Sequence, residues 1–198
     1  MEKTLITISR QFGSGGREIA ELLTKKLHCH HFNSKIVEMA AANLHNGASI
    51  DEAIARSYHT PEEAQGTLDK YEGFERMVEN NRMYVEQAKV ILNVAERPES
   101  AIFLGRCADY ILRNCKDVFS FFIYADDDFR AARGKLKYHG MSLKELNREE
   151  NRRKQYYEFY TGQRWGDPTN YDMMINTSGI SLETAANTIL AYIQFCRG

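Results

Sequence analysis

The chain has 198 residues, 43% of them hydrophobic and 27% charged, with a formal net charge of −1. That length suits one domain, or one domain carrying an insertion, and the near-neutral balance supplies no global field for gripping nucleic acid or an anionic membrane. No apolar run approaches the ~20 residues of a membrane span, and Cys29, Cys107, Cys115 and Cys196 lack C-x-x-C spacing, which fits reduced thiols in a cytoplasm.

The chain opens directly on a strand, with no signal-peptide plan. Leu5, Ile6 and Ile8 form a short apolar run suited to a buried parallel strand. Gly13, Ser14, Gly15 and Gly16 then loosen the backbone, after which Ile19, Leu22, Leu23 and Leu27 define one face of a helix. A glycine loop that opens a helix aims backbone N–H groups at one point, and the helix dipole adds positive potential there. This combination predicts a phosphate cradle.

The next segment, His28-Cys29-His30-His31, contains metal-ligating residue types. Adjacent residues on a strand face opposite ways, so they rarely converge on one ion. A turn and a short second strand are expected instead. Asn33 or Ser34 caps a helix over 35–44. The pattern weakens from 45 to 73, where Asn46-Gly47 and Thr60-Pro61 punctuate short helical pieces such as 50–58. This reads as a small helical insertion. A long helix follows, with Phe74, Met77, Val78, Val85, Ala88, Leu92 and Ala95 at three- and four-residue steps, ended by Pro98.

Residues 101–104 predict a third strand, with Gly105-Arg106 just past its end, and VFSFFIY at 118–124 a fourth. Asp126 or Asp127 starts a helix carrying Arg130 and Arg133, so the acidic triplet 126–128 is read as that start and not as a metal site. Ser142 and Glu145 form a capping box opening a helix to about residue 160, which Gly162 stops. Residues 173–175 predict a fifth strand, and Ser181 caps a last helix. Strands alternating with helices predict a parallel α/β sheet covered on both faces, with ligands at the carboxyl ends of its strands. The glycine loop and Gly105-Arg106 both fall there.

The second half concentrates arginine: Arg106, Arg130, Arg133, Arg148, Arg152, Arg153 and Arg164. Phosphoryl transfer needs cations around the moving group and an in-line acceptor, and planar guanidinium groups clamp phosphates at two points. A solvated helix face paired with Glu145, Glu149, Glu150 and Glu158 is the plainer reading of any single one. The basic-then-aromatic run 148–160 also has the chemistry for single-stranded nucleic acid, but no broader basic surface surrounds it. Trp165 and the nearby tyrosines suit either base stacking or an aromatic core.

The segments ITISRQFGSGGREIA, FLGRCADYIL, YADDDFRAAR, REENRR and YDMMINTS together resemble the nucleoside monophosphate kinases, and within them the cytidylate kinase-like proteins, over nearly the full length. The resemblance implies a single P-loop kinase domain with a three-layer α/β fold and a five-stranded parallel sheet. Its core would be 1–44, 74–132 and 166–198, with a monophosphate-binding insertion at 45–73 and a mobile lid at 133–165. It implies transfer of the γ-phosphate of Mg-ATP to a nucleotide or other small phosphorylated acceptor, with ATP and Mg²⁺ as cofactors. Gly105, Arg106 and Cys107 match the acceptor-binding segment. Arg130, Arg148 and Arg153 match lid-region arginines, with Arg148 and Arg153 neutralising the transferring phosphate. Gly13, Ser14, Gly15, Gly16, Arg17 and Glu18 match the ATP-phosphate loop.

The loop departs from G-x-x-x-x-G-K-S/T. In gapless alignment Arg10 takes the first glycine's place, Gly16 the lysine's and Glu18 the hydroxyl residue's. Shifting by one puts Arg17 at the lysine, but Gln11 then replaces the glycine. Arg17, or else Arg10, is expected to supply the missing cation, and Ser14 or Glu18 the contact to magnesium. The family's base-reading aspartate is Cys107 here; a thiol is a weak donor, so cytosine specificity does not carry over. The rival reading is a non-catalytic nucleotide-binding or regulatory protein with a degenerate loop.

Overall fold

The computed structural model describes residues 2–44 and 70–198. Five strands, β1 (Leu5–Arg10), β2 (His30–Phe32), β3 (Ala101–Leu104), β4 (Val118–Tyr124) and β5 (Met173–Asn176), pair in parallel in the order β2-β3-β1-β4-β5. Among the described residues the helices are α1 (Gly16–Leu27), α2 (Ser34–Leu44), α3 (Lys70–Glu96), α4 (Ala108–Ile111), α5 (Asp127–Lys137), α6 (Leu143–Thr161) and α7 (Leu182–Arg197). None of them is long and apolar enough to cross a membrane. The parallel α/β architecture expected from the alternation of patterns is the one observed.

Side chains alternate across a strand, and here both faces are buried. Ile6, Ile8, Ile102, Leu104, Phe121 and Ile123 pack with Ile19 and Leu23 of α1 and Ala186 and Ile189 of α7. Their neighbours Leu5, Ala101 and Phe103 face the other way, onto Ile36 and Ala40 of α2 and Val90, Ile91 and Val94 of α3. Each fully buried Leu, Ile or Phe contributes about 1.5–3 kcal/mol, so these two layers fix the sheet. The carboxyl edges of β1 and β3 are thereby fixed side by side.

One boundary moved. α3 begins at Lys70 and runs through Gly73, where the end of an insertion was expected; one glycine inside a helix costs only about 1 kcal/mol. The expected helical pieces at 50–58, and the insertion up to residue 69, lie outside the described residues. α6 matches its sequence signals closely. The Glu145 carboxylate accepts the Ser142 N–H at 2.8 Å, Ser142 Oγ accepts the Glu145 N–H, and Gly162 closes the helix at φ +67°.

Candidate active site

The glycine loop is held from below. Gln11 N donates to Ile123 O at 2.9 Å, and Gln11 Oε1 accepts the Ala125 N–H at 3.1 Å. Thr177 Oγ1 donates to Ser14 O at 2.7 Å. Gly13 and Gly15 have φ near +90°, a region that strains any L side chain. Gly15 is the N-cap of α1 and supplies no side-chain acceptor, so the first-turn N–H groups keep their capacity to hold an anion.

The expected cations divide into two groups. Arg130 is 4% exposed and spans three elements: Nε donates to Phe12 O at 2.8 Å, Nη1 to Asp127 at 3.0 Å and Nη2 to Asn147 Oδ1 at 2.8 Å. Arg153 lies with its guanidinium 4.5 Å over the Phe12 ring and Nη1 3.4 Å from Arg10 O. These two are brought to the loop. Arg17 is not: its side chain is 69% exposed and pairs with Glu21 one turn along α1. Arg148 is likewise at the surface, 67% exposed, with Glu149 4.0 Å away.

Other residues emerge at the loop. Glu18 pairs with Arg133 of α5. Glu18 Oε2 and Arg133 Nε are buried with no hydrogen bond among the described residues. Glu150 of α6, which the sequence offered only as an ion-pair partner, accepts the Phe12 N–H on Oε2 at 2.6 Å and the Trp165 indole N–H on Oε1 at 2.6 Å. Nothing in the local pattern distinguishes Glu150 from the carboxylates around it. Finally, a Cβ on residue 16 would fall 2.7 Å from Arg10 Cβ and 2.9 Å from its Cγ, so the stem of Arg10 crosses the loop at Gly16.

On the neighbouring strand, Gly105, Arg106 and Cys107 take φ of +72°, +61° and +56° in succession. Left-handed backbone at non-glycine residues costs about 1–2 kcal/mol each and gathers at functional sites. Gly105 N donates to Ile8 O at 3.0 Å, stitching this turn to β1. Arg106 and Cys107 are both buried. Burial pushes the Cys107 thiol up, Asp109 adds to the rise and Arg106 opposes it. Asp109 receives Ser9 Oγ at 3.4 Å and the Tyr157 hydroxyl at 2.7 Å. Burial raises its carboxyl to about 6 against those hydrogen bonds, which lower it.

The aromatic residues around Cys107 pack on one another. Tyr84 and Tyr160 stack at 4.1 Å, and Trp165 meets Phe122 and Tyr157 edge-on at 5.2 and 5.1 Å. Of the two sequence alternatives for Trp165, the aromatic core describes its contacts.

Nucleotide phosphates fit this loop, with its capless helix start and adjacent arginines. For magnesium the fit is narrower. Among the described residues no group of three or more His, Cys, Asp and Glu could hold a metal ion. Ser14 Oγ is fully buried and donates to Gln11 O at 2.9 Å. Glu18 offers one oxygen without a hydrogen bond, and one carboxylate suits an ion whose other ligands are phosphate oxygens and water. In the histidine segment, His31 Nδ1 lies 3.1 Å from Thr24 Oγ1.

Comparison with known proteins adds an independent line. The model of the cytidylate kinase-like family matches residues 5–179. No curated protein matches the sequence. Among solved structures, an uncharacterized protein from Eubacterium ventriosum ATCC 27560 is 23% identical, with 97% of this chain and 99% of that one covered and a TM-score of 0.69. The shikimate kinase from Bacteroides thetaiotaomicron is 12% identical, with 96% and 98% covered and a TM-score of 0.57. The APS kinase from Mycobacterium tuberculosis is 14% identical, with 98% of each chain covered and a TM-score of 0.50. At such identities the likeness is one of fold, and the fold is that of the P-loop kinases.

Proposed function

This chain belongs to the cytidylate kinase-like family, and from that footing we propose that it is an ATP-dependent kinase. It transfers the γ-phosphate of Mg-ATP directly to a small phosphorylated acceptor, a (d)CMP-like monophosphate or a related compound. The observation that carries this reading is the adjacency of two turns whose backbone and cations suit anions. The glycine loop follows β1, Gly105-Arg106 follows the neighbouring β3, and α6 reaches both through Glu150 and Tyr157. The fold relatives are consistent with it: the Mycobacterium tuberculosis APS kinase is described in complex with AMPPNP and APS.

In this reading the N–H groups of Gly13, Gly15 and Gly16 hold the ATP phosphates, the Ser14 N–H being engaged by Gln11 O, and Arg106 holds the acceptor's phosphate. Arg153, and Arg148 on lid closure, neutralise charge on the group in flight. Arg130 holds the lid root against the loop. Glu18, through its oxygen without a hydrogen bond, would hold the magnesium of Mg-ATP, and the ion would supply charge neutralisation there. The lid comprises 133–165 and the acceptor-side insertion 45–73. Cys107 gives the acceptor pocket a weak donor in place of a carboxylate.

A second reading, a nucleotide-binding regulator without turnover, is favoured by one specific contact. Glu150 occupies the Phe12 N–H of the loop, and a carboxylate there competes with phosphate. The test is to incubate the protein with Mg-ATP and each common nucleoside and deoxynucleoside monophosphate and follow ADP release. Acceptor-dependent release that falls by about two orders of magnitude or more in Arg106→Ala supports the kinase. Tight ATP binding without turnover on any acceptor supports the regulator.

A further inference from the structure

We propose that Arg10 is the cation of the ATP-phosphate site, and that residue 16 is glycine because Arg10 passes across it. This rests on the kinase reading and names the residue that takes over the lysine's charge in its phosphate loop.

Arg10 is the last residue of β1, in register with Ile123 of β4, at the carboxyl edge where the glycine loop begins. It is 6% exposed. No hydrogen bond or ion pair joins its guanidinium to any described residue, and carboxylates of α1, α5 and α6 are engaged by other arginines. Glu21 is on Arg17, Glu18 on Arg133, Asp127 on Arg130 and Glu149 on Arg152. A charge largely withdrawn from water, with no partner among the described residues, is unfavourable, and a fold retains one where an anion is to arrive. The anion suited to this place is a phosphate, since the loop beside it presents backbone N–H groups from a helix start.

The geometry at Gly16 explains how the charge came to be on the strand. With a Cβ at residue 16 lying 2.7 Å from Arg10 Cβ, a lysine at 16 and the arginine at 10 exclude one another. The two positions have exchanged roles: the cation stands at the end of β1 and the small residue at the start of α1. A guanidinium then grips phosphate oxygens at two points where an ammonium would offer a single charge.

The exchange is tested by binding of Mg-ATP and of inorganic tripolyphosphate to the full chain, measured by calorimetry. Arg10→Gln is expected to weaken both by about tenfold or more. Gly16→Lys alone weakens them too, because its side chain meets the Arg10 stem. The double variant R10G/G16K, which returns the cation to the helix start, recovers to within about threefold of the starting protein. Without ligand, Arg10→Gln melts no lower than the starting protein, since a largely buried charge with no partner among the described residues has been removed. A lowered melting temperature would identify Arg10 as a structural residue and overturn the proposal. Unimpaired binding in Arg10→Gln, an equal or larger loss in Arg17→Gln, or a double variant no better than the single ones would each overturn it too. If the starting protein turns over an acceptor while Arg10→Gln binds normally, only the role of Arg10 falls. If the starting protein binds neither probe, the kinase reading falls and this proposal with it.

Discussion

Glu150 of α6 accepts the backbone N–H of Phe12 at 2.6 Å and, through its other oxygen, the indole N–H of Trp165 at 2.6 Å. One carboxylate thus ties the glycine loop to α6 and to the segment that follows it. Glu150→Gln keeps the size but turns one oxygen into a donor, which must face one of two N–H groups. The loss expected is about 1–3 kcal/mol in urea unfolding. The chain has a single tryptophan, so its emission reports the same event. A red shift in folded Glu150→Gln is expected, and unchanged emission with unchanged stability would show that the bridge is not formed in solution.

Asp109 gives stability a pH dependence of definite sign. Burial holds its carboxyl at about 6, above the ordinary 3.8. Between those values the folded chain keeps a proton that the unfolded chain has released. Stability therefore falls as pH rises through that window and levels off above it. The side chains that interact with it are Ser9, Cys107, Tyr157 and Tyr171. The Cys107 thiol and Tyr157 hydroxyl are themselves pushed up, so the window belongs to Asp109. Comparing Asp109→Asn with the starting protein from about pH 4 to pH 8, the starting protein's relative stability should decline by up to about 3 kcal/mol. A difference that stays flat across the series would contradict the buried proton.

Gly15 and Gly140 both have φ above +80°, but their surroundings differ. A Cβ at Gly140 meets nothing within 4 Å, whereas one at Gly15 would come within 2.6 Å of Leu182 Cδ2. Gly140→Ala should cost about 1 kcal/mol from backbone strain alone. Gly15→Ala should cost about 2–4 kcal/mol, because Leu182 must also move. Paired thermal melts decide it, and equal losses would mean that α7 gives way freely at its start.

Arg130 and Arg148 were alike in the sequence and are opposite in the structure. Arg130→Lys replaces a fork reaching Phe12, Asp127 and Asn147 with a single nitrogen. A stability loss of about 2–4 kcal/mol is expected. Arg148→Ala should change stability by no more than about 0.5 kcal/mol and should lower turnover instead. Unfolding curves and steady-state kinetics on both variants would separate brace from catalyst; a destabilised Arg148→Ala would undo the distinction.

What the sequence made legible was what local physics controls. The five strands, the capping box at Ser142 and the stop at Gly162 follow from apolar runs, side-chain acceptors and a glycine's freedom, each read within a few residues. The glycine loop was legible for the same reason. The direction of each arginine was not, because it depends on partners more than a hundred residues away. Arg133 meets Glu18, and Arg153 meets Arg10 O. Arg17 read as the natural lysine substitute by proximity in the chain, yet an i+4 glutamate on the same helix holds it outward. Gly16, standing in the lysine's place, spoke for the rival reading of a degenerate loop. Only the path of the Arg10 stem shows that its missing side chain makes room.

Helix α6 is fixed at both ends, by the capping box at Ser142 and by Gly162, and between them it touches the glycine loop through Glu150 and the acceptor-side turn through Tyr157 and Asp109. In the proposed kinase an element that touches both places couples them, and thermodynamic linkage makes that coupling reciprocal. Whatever factor a ligand on the glycine loop applies to affinity beside Arg106, a ligand beside Arg106 applies the same factor in return. For the proposed two substrates the order of binding is then a kinetic matter, while the strength of their cooperation is a single number to which this helix contributes.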